Sequence, residues 1–408
     1  MKQSNAWKGI LDICSTSDKT LLQSDTYRTQ SVIKTFRRVW QLRSKIGITR
    51  LTDLTDLDYI GIPVASAFRP CVDDAQISAT QGKGIRRIDA LTSALLEAVE
   101  RFSASVYKKT LKATTTELKA NKCFYKSPDS LGAAPLSSNK TIEWINATSL
   151  SSGCSVFVPA AEVLFPYYPS VGTFRPMRPS TTGLAAGNTI AEAVLAALFE
   201  VIERDTVSKY LYGGLSQLLN LDSIKTGPEL KLLNKFTKAG IDLFVVDLSH
   251  TSPLPVFFAS LLNTQGPGPK VSVAGQGAHL SPQIALRRAL LEAAQSRIVA
   301  LHGSREDLIR HASDWEGDLD NLREQREKVR QAAQIGGMST LTFDFPKPTS
   351  ILDALQRIEQ LLKAAGYNDA IYTNLTNPEI LIPTVHVIVP GMVDTIVDPE
   401  RRHFVPKP

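Results

Sequence analysis

Three stretches of this chain carry apolar residues at helical spacing, and each stands behind short β-prone runs. The first, Ile88 to Tyr107, follows the runs from Ile62 to Phe68 and from Gln76 to Thr80, which end at Gly82-Lys83-Gly84. The second, Thr189 to Tyr210, sets Val194, Leu195, Leu198 and Ile202 on one stripe and follows Thr181-Thr-Gly-Leu-Ala-Ala-Gly-Asn188. The third surrounds Arg288 to Arg297 and follows Leu254 to Ser260 and Lys270 to Gly277. Each predicts a strand, strand, glycine turn, helix unit. Outside them, residues 1 to about 30 are polar and aperiodic and read as a loose arm. Val32 to Ile46 reads as a basic amphipathic helix, Phe165 to Pro179 as a Pro-rich loop, and Gly303 to Gly337 as a charged surface helix.

The helical stretches are copies of one design. Ser93-Ala-Leu-Leu-Glu97-Ala-Val-Glu100-Arg101 aligns with Ala196-Ala-Leu-Phe-Glu200-Val-Ile-Glu203-Arg204, and a Tyr follows each, Tyr107 and Tyr210. The third copy reads Arg288-Ala-Leu-Leu-Glu292-Ala-Ala-Gln295-Ser-Arg297. A further echo links Ile241 to Leu248 and Leu254 to Val256 with Ala370 to Leu375 and Ile382 to Val385. Repetition at this scale predicts an α+β fold of pseudo-repeated units packed around one cavity. The expected division is 1–46, an arm and basic helix, and 47–408, one large domain.

Charge marks where chemistry sits. At about 100° per residue, Asn188, Glu192, Glu203 and Glu200 fall within an arc of roughly 120°, with no Lys or Arg between them. The plain alternative is the solvated side of an amphipathic helix. Small apolar fillers among the acids argue for a cation instead, since like charges beside apolar neighbours repel. Hard cations such as Mg²⁺ take oxygen ligands, with phosphate completing the shell. Ser93, Glu97 and Glu100 share one helix face with Arg101 beside them, and Arg288, Glu292 and Gln295 repeat that spacing. Intrahelical pairs such as Glu97 with Arg101 would account for one copy at ~0.3–0.5 kcal/mol each, but not for three on one scaffold. Gly82-Lys83-Gly84 could offer N–H groups and an ammonium to phosphate. No Walker loop or dinucleotide fingerprint occurs, and the six histidines show no metal spacing.

Composition narrows the setting. With 408 residues, 43% of them hydrophobic, the chain can bury a large core. It has no run approaching the ~18 apolar residues of a membrane helix and no signal-peptide core, so the expected setting is the cytoplasm. Cys14, Cys71, Cys123 and Cys154 lack metal or disulfide spacing. The net charge of +6 includes a cluster of Lys34, Arg37, Arg38, Arg43, Lys45 and Arg50, able to meet phosphates or an acidic peptide, or simply solvated.

Taken in order, Gly82-Lys-Gly84, the Ser93-xxx-Glu97-xx-Glu100-Arg101 helix, Gly183 to Asn188 with Glu192, Glu200, Glu203 and Arg204, and the Arg288 to Arg297 helix resemble the motifs of the YcaO family, over a span from about Arg37 to the C-terminus. The resemblance implies a non-Walker ATP site, with Mg²⁺ held between helix carboxylates. The nucleotide contacts it implies are Lys83, Ser93, Glu97, Arg101, Asn188, Arg288, Gln295 and Arg297, and the metal ligands Glu97, Glu100, Glu192, Glu200 and Glu203. It implies phosphorylation of a peptide-bond oxygen, giving a thioamide or an azoline in a precursor peptide or protein. Thr181-Thr182 stands where many members carry Ser-Asn, and Val405-Pro-Lys-Pro408 is shorter than the alternating-proline tail of azoline-forming members. Gly47-Ile-Thr-Arg50 and Leu57 to Pro63 look similar to thioamide-forming, TfuA-associated members. No partner domain is fused, so a separate TfuA-like, or leader-binding E1-like, partner is expected. The protein would act as a homodimer or hetero-oligomer, with no nucleic acid or membrane partner. The rivals are a non-catalytic peptide-binding scaffold and another ATP-dependent ligase.

Overall fold

The computed structural model describes residues 7–14, 18, 21–22, 26–105, 109–263, 272–303, 319–341 and 347–404. Helix α1 (Lys8–Ile13) and a ribbon of β1 (Leu21–Leu22) and β2 (Tyr27–Arg28) precede α2 (Val32–Gln41) and α3 (Arg43–Ile46). Strands β3 (Arg50–Asp53), β4 (Val64–Phe68) and β5 (Ala79–Lys83) lead into α4 (Arg87–Ser105). Then come β6 (Leu111–Ala113), α5 (Thr115–Ala120), β7 (Ile142–Ser149), β8 (Ser155–Pro159), α6 (Ala160–Val163), β9 (Leu184–Ala186) and α7 (Ile190–Leu211). The third unit runs through β10 (Gln217–Leu219), α8 (Gly227–Lys238), β11 (Ile241–Asp247), β12 (Val256–Asn263) and β13 (Ser272–Ala278) to α9 (Pro282–His302). The described chain closes with α10 (Leu319–Ile335), β14 (Met338–Ser339), α11 (Ile351–Ala364), β15 (Ile371–Asn374) and β16 (Thr384–Ile388).

Each long helix rests on its own sheet. Helix α4 packs on the antiparallel β3-β4-β5 sheet. Helix α7 lies on β16 and β9, one end of the sheet ordered β6-β7-β15-β16-β9, with β8 paired to β7. Helix α9 lies on β13 and β12 of the sheet ordered β13-β12-β11-β10-β14, in which only β10 and β14 run parallel. The pseudo-repeated α+β architecture read from the three copies is therefore present. Helix α7 is buried on nearly all sides rather than having a solvated acidic face. Its start is fixed by Thr189, whose hydroxyl accepts from the Glu192 N–H at 3.1 Å.

Glycines set how closely strand and helix approach. A Cβ on Gly82 would lie 2.1 Å from the Ala90 carbonyl oxygen and 2.2 Å from the Ala94 nitrogen; Gly275 and Gly277 meet α9 in the same way. The Gly82-Lys83 pair consequently lies inside β5, not in a turn ahead of the helix as its sequence suggested. Close approach of the two backbones, rather than phosphate, accounts for Gly82.

Several expectations change. The N-terminal arm is partly docked: Trp7, Ile10 and Tyr27 are buried in the same core as α7. The single basic helix is two, separated at Leu42 and stopped by Gly47 in the left-handed region. Two of the histidines, His279 and His386, are buried. Tyr107, Lys270, Val271 and the tail Val405 to Pro408 lie outside the described residues, as does part of the charged stretch after Gly303. Substituting Gly82→Ala is expected to lower stability by about 1–3 kcal/mol, the range for overpacking a tight interior. Urea unfolding with an unchanged midpoint would contradict that reading of the β5–α4 contact.

Candidate functional site

The site is organised by backbone N–H groups that hold helix carboxylates in place. On α4, Glu97 accepts from the Gln81 N–H of its own sheet at 2.8 Å, while Glu100 accepts from Ala186 of β9 at 2.8 Å. On α7, Glu200 accepts from Gly183, just before β9, at 3.2 Å, and Glu203 accepts from Ala278 of β13 at 2.9 Å. On α9, Glu292 pairs with Lys83 of β5. The first two helices thus each bond once to their own unit and once to the next, and Lys83 joins the third unit back to the first.

Electrostatics divide these acids into two groups. Burial pushes the Glu100 carboxyl up to about 8, with Glu97 and Glu200 adding like charge, although the Ala186 N–H and Arg101 oppose the shift. Burial likewise lifts Glu200 to about 7, with Arg204 opposing and Glu203 and Asp394 adding to the rise. Glu203 is raised by burial and by Glu292. Glu292 is held below the ordinary range: burial would raise it, but the Lys83 ammonium and Arg204 prevail. Burial weakens the Arg204 charge, yet Glu292 and Glu203 outweigh it and keep its guanidinium more basic than usual. Arg204 lies 3.9 Å from Glu203 and 3.8 Å from Glu292. It therefore bridges α7 and α9 instead of pairing with Glu200 one turn back. The α4 pair, Arg101 with Glu97, is present at 3.6 Å.

Beside these acids, Lys83, Ser93 and Arg288 line one cleft with Arg28, Val32 and Thr35. Its free volume is about 80 Å³, against the ~300–1,000 Å³ usual for small-molecule sites. Arg28, Val32 and Thr35 form the wall of the cleft on the N-terminal side. Asn188 and Glu192 brace that wall. Glu192 accepts from Arg28 at 3.1 Å and from the Thr29 N–H and hydroxyl, both at 2.8 Å, while Asn188 accepts from the Thr35 hydroxyl at 2.9 Å and donates to Glu192. Burial would raise Glu192, but Arg28 and Thr29 bring it below the ordinary range.

The single acidic arc read from α7 is therefore resolved into separate places. Glu192 stands about 12 Å along the helix from Glu200, at ~1.5 Å per residue, and its oxygens face the N-terminal segment. Glu200 faces Gly183 and Glu203 faces Ala278. Gln295 is half-buried one turn beyond Glu292. The structure does not bring Arg297 to this set, because its fully buried guanidinium pairs with Asp58 at 2.9 Å. Residues that the helix motifs did not point to also take part. The Thr182 hydroxyl donates to Asp394 at 2.6 Å, beside Glu200. Gln81 and Gln276 present buried side-chain oxygens without partners among the described residues. Their signal was in the sequence: Gln81-Gly82 and Gln276-Gly277 each stand sixteen residues before Glu97 and Glu292.

The donor set suits Mg²⁺ with phosphate. Among the described residues, no three Asp, Glu, His or Cys side chains converge on one metal position. Mg²⁺ seldom uses an all-protein cage; one or two carboxylates plus phosphate oxygens and water suffice. The Gln81 and Gln276 oxygens, which accept no hydrogen bond among the described residues, supply acceptors, and the Arg204 Nε and Arg288 Nε, which donate none there, supply donors.

Three helix-on-sheet units joined through buried carboxylates and cations, with no P-loop in the sequence, define a class apart from Walker-type nucleotide folds. Residues 81–393 match the family described as YcaO cyclodehydratase, ATP- and Mg²⁺-binding, and the chain belongs to that family. It is 36% identical over 377 residues to an uncharacterized protein of Methanothermobacter thermautotrophicus, covering 88% of this chain and 93% of that one. It is 31% identical over 386 residues to a protein from the tfuA 3′ region of Rhizobium leguminosarum bv. trifolii, covering 88% and 87%. In fold it resembles YcaO from Methanopyrus kandleri bound with AMPPCP and Mg²⁺ (TM-score 0.73, 24% identity, 94% and 97% of the two chains). It also resembles a heterocyclase in complex with substrate and cofactor (TM-score 0.75, 22% identity, 93% of this chain and 55% of that one). No helix among the described residues is long and apolar enough to cross a membrane.

The raised carboxyls carry a pH dependence with a definite sign. Glu100 and Glu200 titrate at about 8 and about 7 in the fold, up from 4.5. Up to about pH 8 the folded protein binds more protons at these groups than the unfolded chain does, so stability falls as pH rises through the folded values. Below about 6.5 the buried imidazoles of His279 and His386, both lowered by burial, act in the opposite sense. The melting temperature of nucleotide-free protein is therefore expected to fall from about pH 7 to about pH 8.5. Mg²⁺ with an ATP analogue should raise it more at the higher pH. A flat or rising profile would contradict this account.

Proposed function

We propose that this protein uses ATP to phosphorylate the carbonyl oxygen of a backbone amide in a peptide or protein substrate. The reading is supported by one arrangement in an ATP- and Mg²⁺-binding enzyme family: buried carboxylates of three helices tie the three units to one another, and Lys83, which pairs with Glu292, lines a cleft together with Arg288. Glu100, Glu200 and Glu203, with Glu97 at the margin, are the groups we assign to hold Mg²⁺. Bound there, Mg²⁺ would neutralise charge on the polyphosphate and promote transfer of its terminal phosphoryl group. Lys83 and Arg288 bind phosphate oxygens, and Ser93 and Asn188 line the nucleotide's surroundings. Arg204 keeps α7 and α9 in register.

The chemistry balances as follows. A sulfur or oxygen nucleophile bonds to the amide carbon, and the π electrons move to the carbonyl oxygen. That oxygen takes the γ-phosphoryl group and ADP leaves. The carbon–oxygen bond then breaks, releasing phosphate, while the nucleophile or the amide nitrogen gives up a proton. With sulfide from outside, the product is a thioamide; with a Cys, Ser or Thr side chain of the substrate, an azoline. None of Cys14, Cys71, Cys123 or Cys154 lines the cleft. The relative from a tfuA region favours the thioamide, with a TfuA-like protein as separate partner. The likeness to a heterocyclase favours the azoline as second reading.

Glu203→Gln keeps the side-chain volume and an oxygen for the Ala278 N–H while removing one charge. Peptide-dependent ADP release is expected to fall about 10²-fold or more, the scale of losing one preorganised electrostatic contact. Mass spectrometry of the wild-type product separates the chemistries: oxygen replaced by sulfur for the thioamide, loss of water for the azoline. Turnover unchanged in both Glu203→Gln and Glu200→Gln would overturn the site. Joined peptides would point to a ligase, and no ADP at all to a scaffold.

A further inference from the structure

The basic segment around α2 is left unused by this chemistry. Between Asp25 and Asp53 the chain has no acidic residue but seven cations, more than the whole protein's formal net charge of +6. Arg28 turns inward to Glu192. Lys34, Arg37, Arg38 and Gln41 fall at i, i+3, i+4 and i+7, forming one row along α2. The buried Thr35 and Val39 occupy the opposite face, against α4. Lys34, Arg37 and Lys45 are exposed, and Arg38 and Lys45 donate only to the Leu381 and Glu379 carbonyls. Among the described residues, no carboxylate lies within ion-pair distance of this row. Its first turn adjoins the cleft, because Val32 and Thr35 form the cleft wall.

We infer that this row is a docking strip for an acidic stretch of the peptide substrate, leading to the lip of the nucleotide cleft. From Lys34 to Gln41 the row runs about 10 Å at ~1.5 Å per residue, the span of about three residues of extended peptide, and Lys45 on α3 extends the positive charge beyond it. A nucleic acid suits it less, because single-strand binding draws on open aromatic platforms. Here Trp40 is stacked on Phe36 at 6.1 Å and covered by the Arg43 guanidinium. Unpaired surface cations at such a lip steer and register an oppositely charged ligand. The peptide as occupant rests on the function proposed above; the strip itself does not.

The test compares a fluorescein-labelled peptide of alternating Asp and Glu with its Asn and Gln counterpart, by fluorescence anisotropy at low salt on the full chain. Wild type is expected to bind the acidic peptide at least about tenfold more tightly than the neutral one, with affinity falling steeply as salt rises. Lys34→Glu with Arg37→Glu, both exposed and outside the cleft, should remove that preference while leaving affinity for an ATP analogue unchanged. Equal binding of the two peptides, or an unaltered preference in the variant, would overturn the strip. Tighter binding of a single-stranded oligonucleotide of equal charge would reassign it to nucleic acid. Because the readout is binding, loss of the peptide-modifying reading through Glu203→Gln would leave this result standing.

Discussion

A carboxylate that accepts a hydrogen bond from the main chain of the next unit cannot move without moving a strand. Glu100 on Ala186 and Glu203 on Ala278 are such bonds, and the Lys83–Glu292 pair completes the connection. Burying these acids costs several kcal/mol each unless they are paired or neutralised. The fold tolerates them by giving each a main-chain donor or a cation. Burial nonetheless pushes the Glu100 and Glu200 carboxyls up to about 8 and about 7. The ring is held together mechanically but is short of positive charge, the condition under which a divalent cation and a polyphosphate add stability as they bind.

The close approach of strand and helix serves the same end. Gly82, Gly275 and Gly277 remove the side chains that would keep α4 and α9 away from their sheets. On α4 that approach lets Glu97 accept from the Gln81 N–H of the strand behind it. Arg204 spans the remaining gap between α7 and α9. Backbone packing and site geometry are thus one constraint.

Much of this was legible because it is repeated. The Glu-x-x-Glu-Arg copies and the shared spacing of Arg288, Glu292 and Gln295 gave the three helices and their inward faces. Periodicity could not say which strand each acid would meet, since Ala186 lies 86 residues from Glu100 and Ala278 lies 75 from Glu203. For the same reason Arg28 gave no hint of its pairing with Glu192, 164 residues away. A helical wheel placed Glu192 with Glu200 and Glu203 because it ignores distance along the axis. Arg297 was misplaced by its motif: on a helix packed between layers it meets Asp58 instead of the cavity. The N-terminal arm read as loose because its anchors, Trp7, Ile10 and Tyr27, are isolated apolar residues with no period.

The central chemical claim is that the substrate's amide oxygen leaves as phosphate. The most direct measurement uses a peptide carrying heavy oxygen at the backbone carbonyls, incubated with the protein, Mg²⁺, ATP and a sulfide source. The account predicts that one labelled oxygen per modified amide appears in the inorganic phosphate released. Label found only in water, or retained in the modified peptide while ATP is hydrolysed, would contradict it.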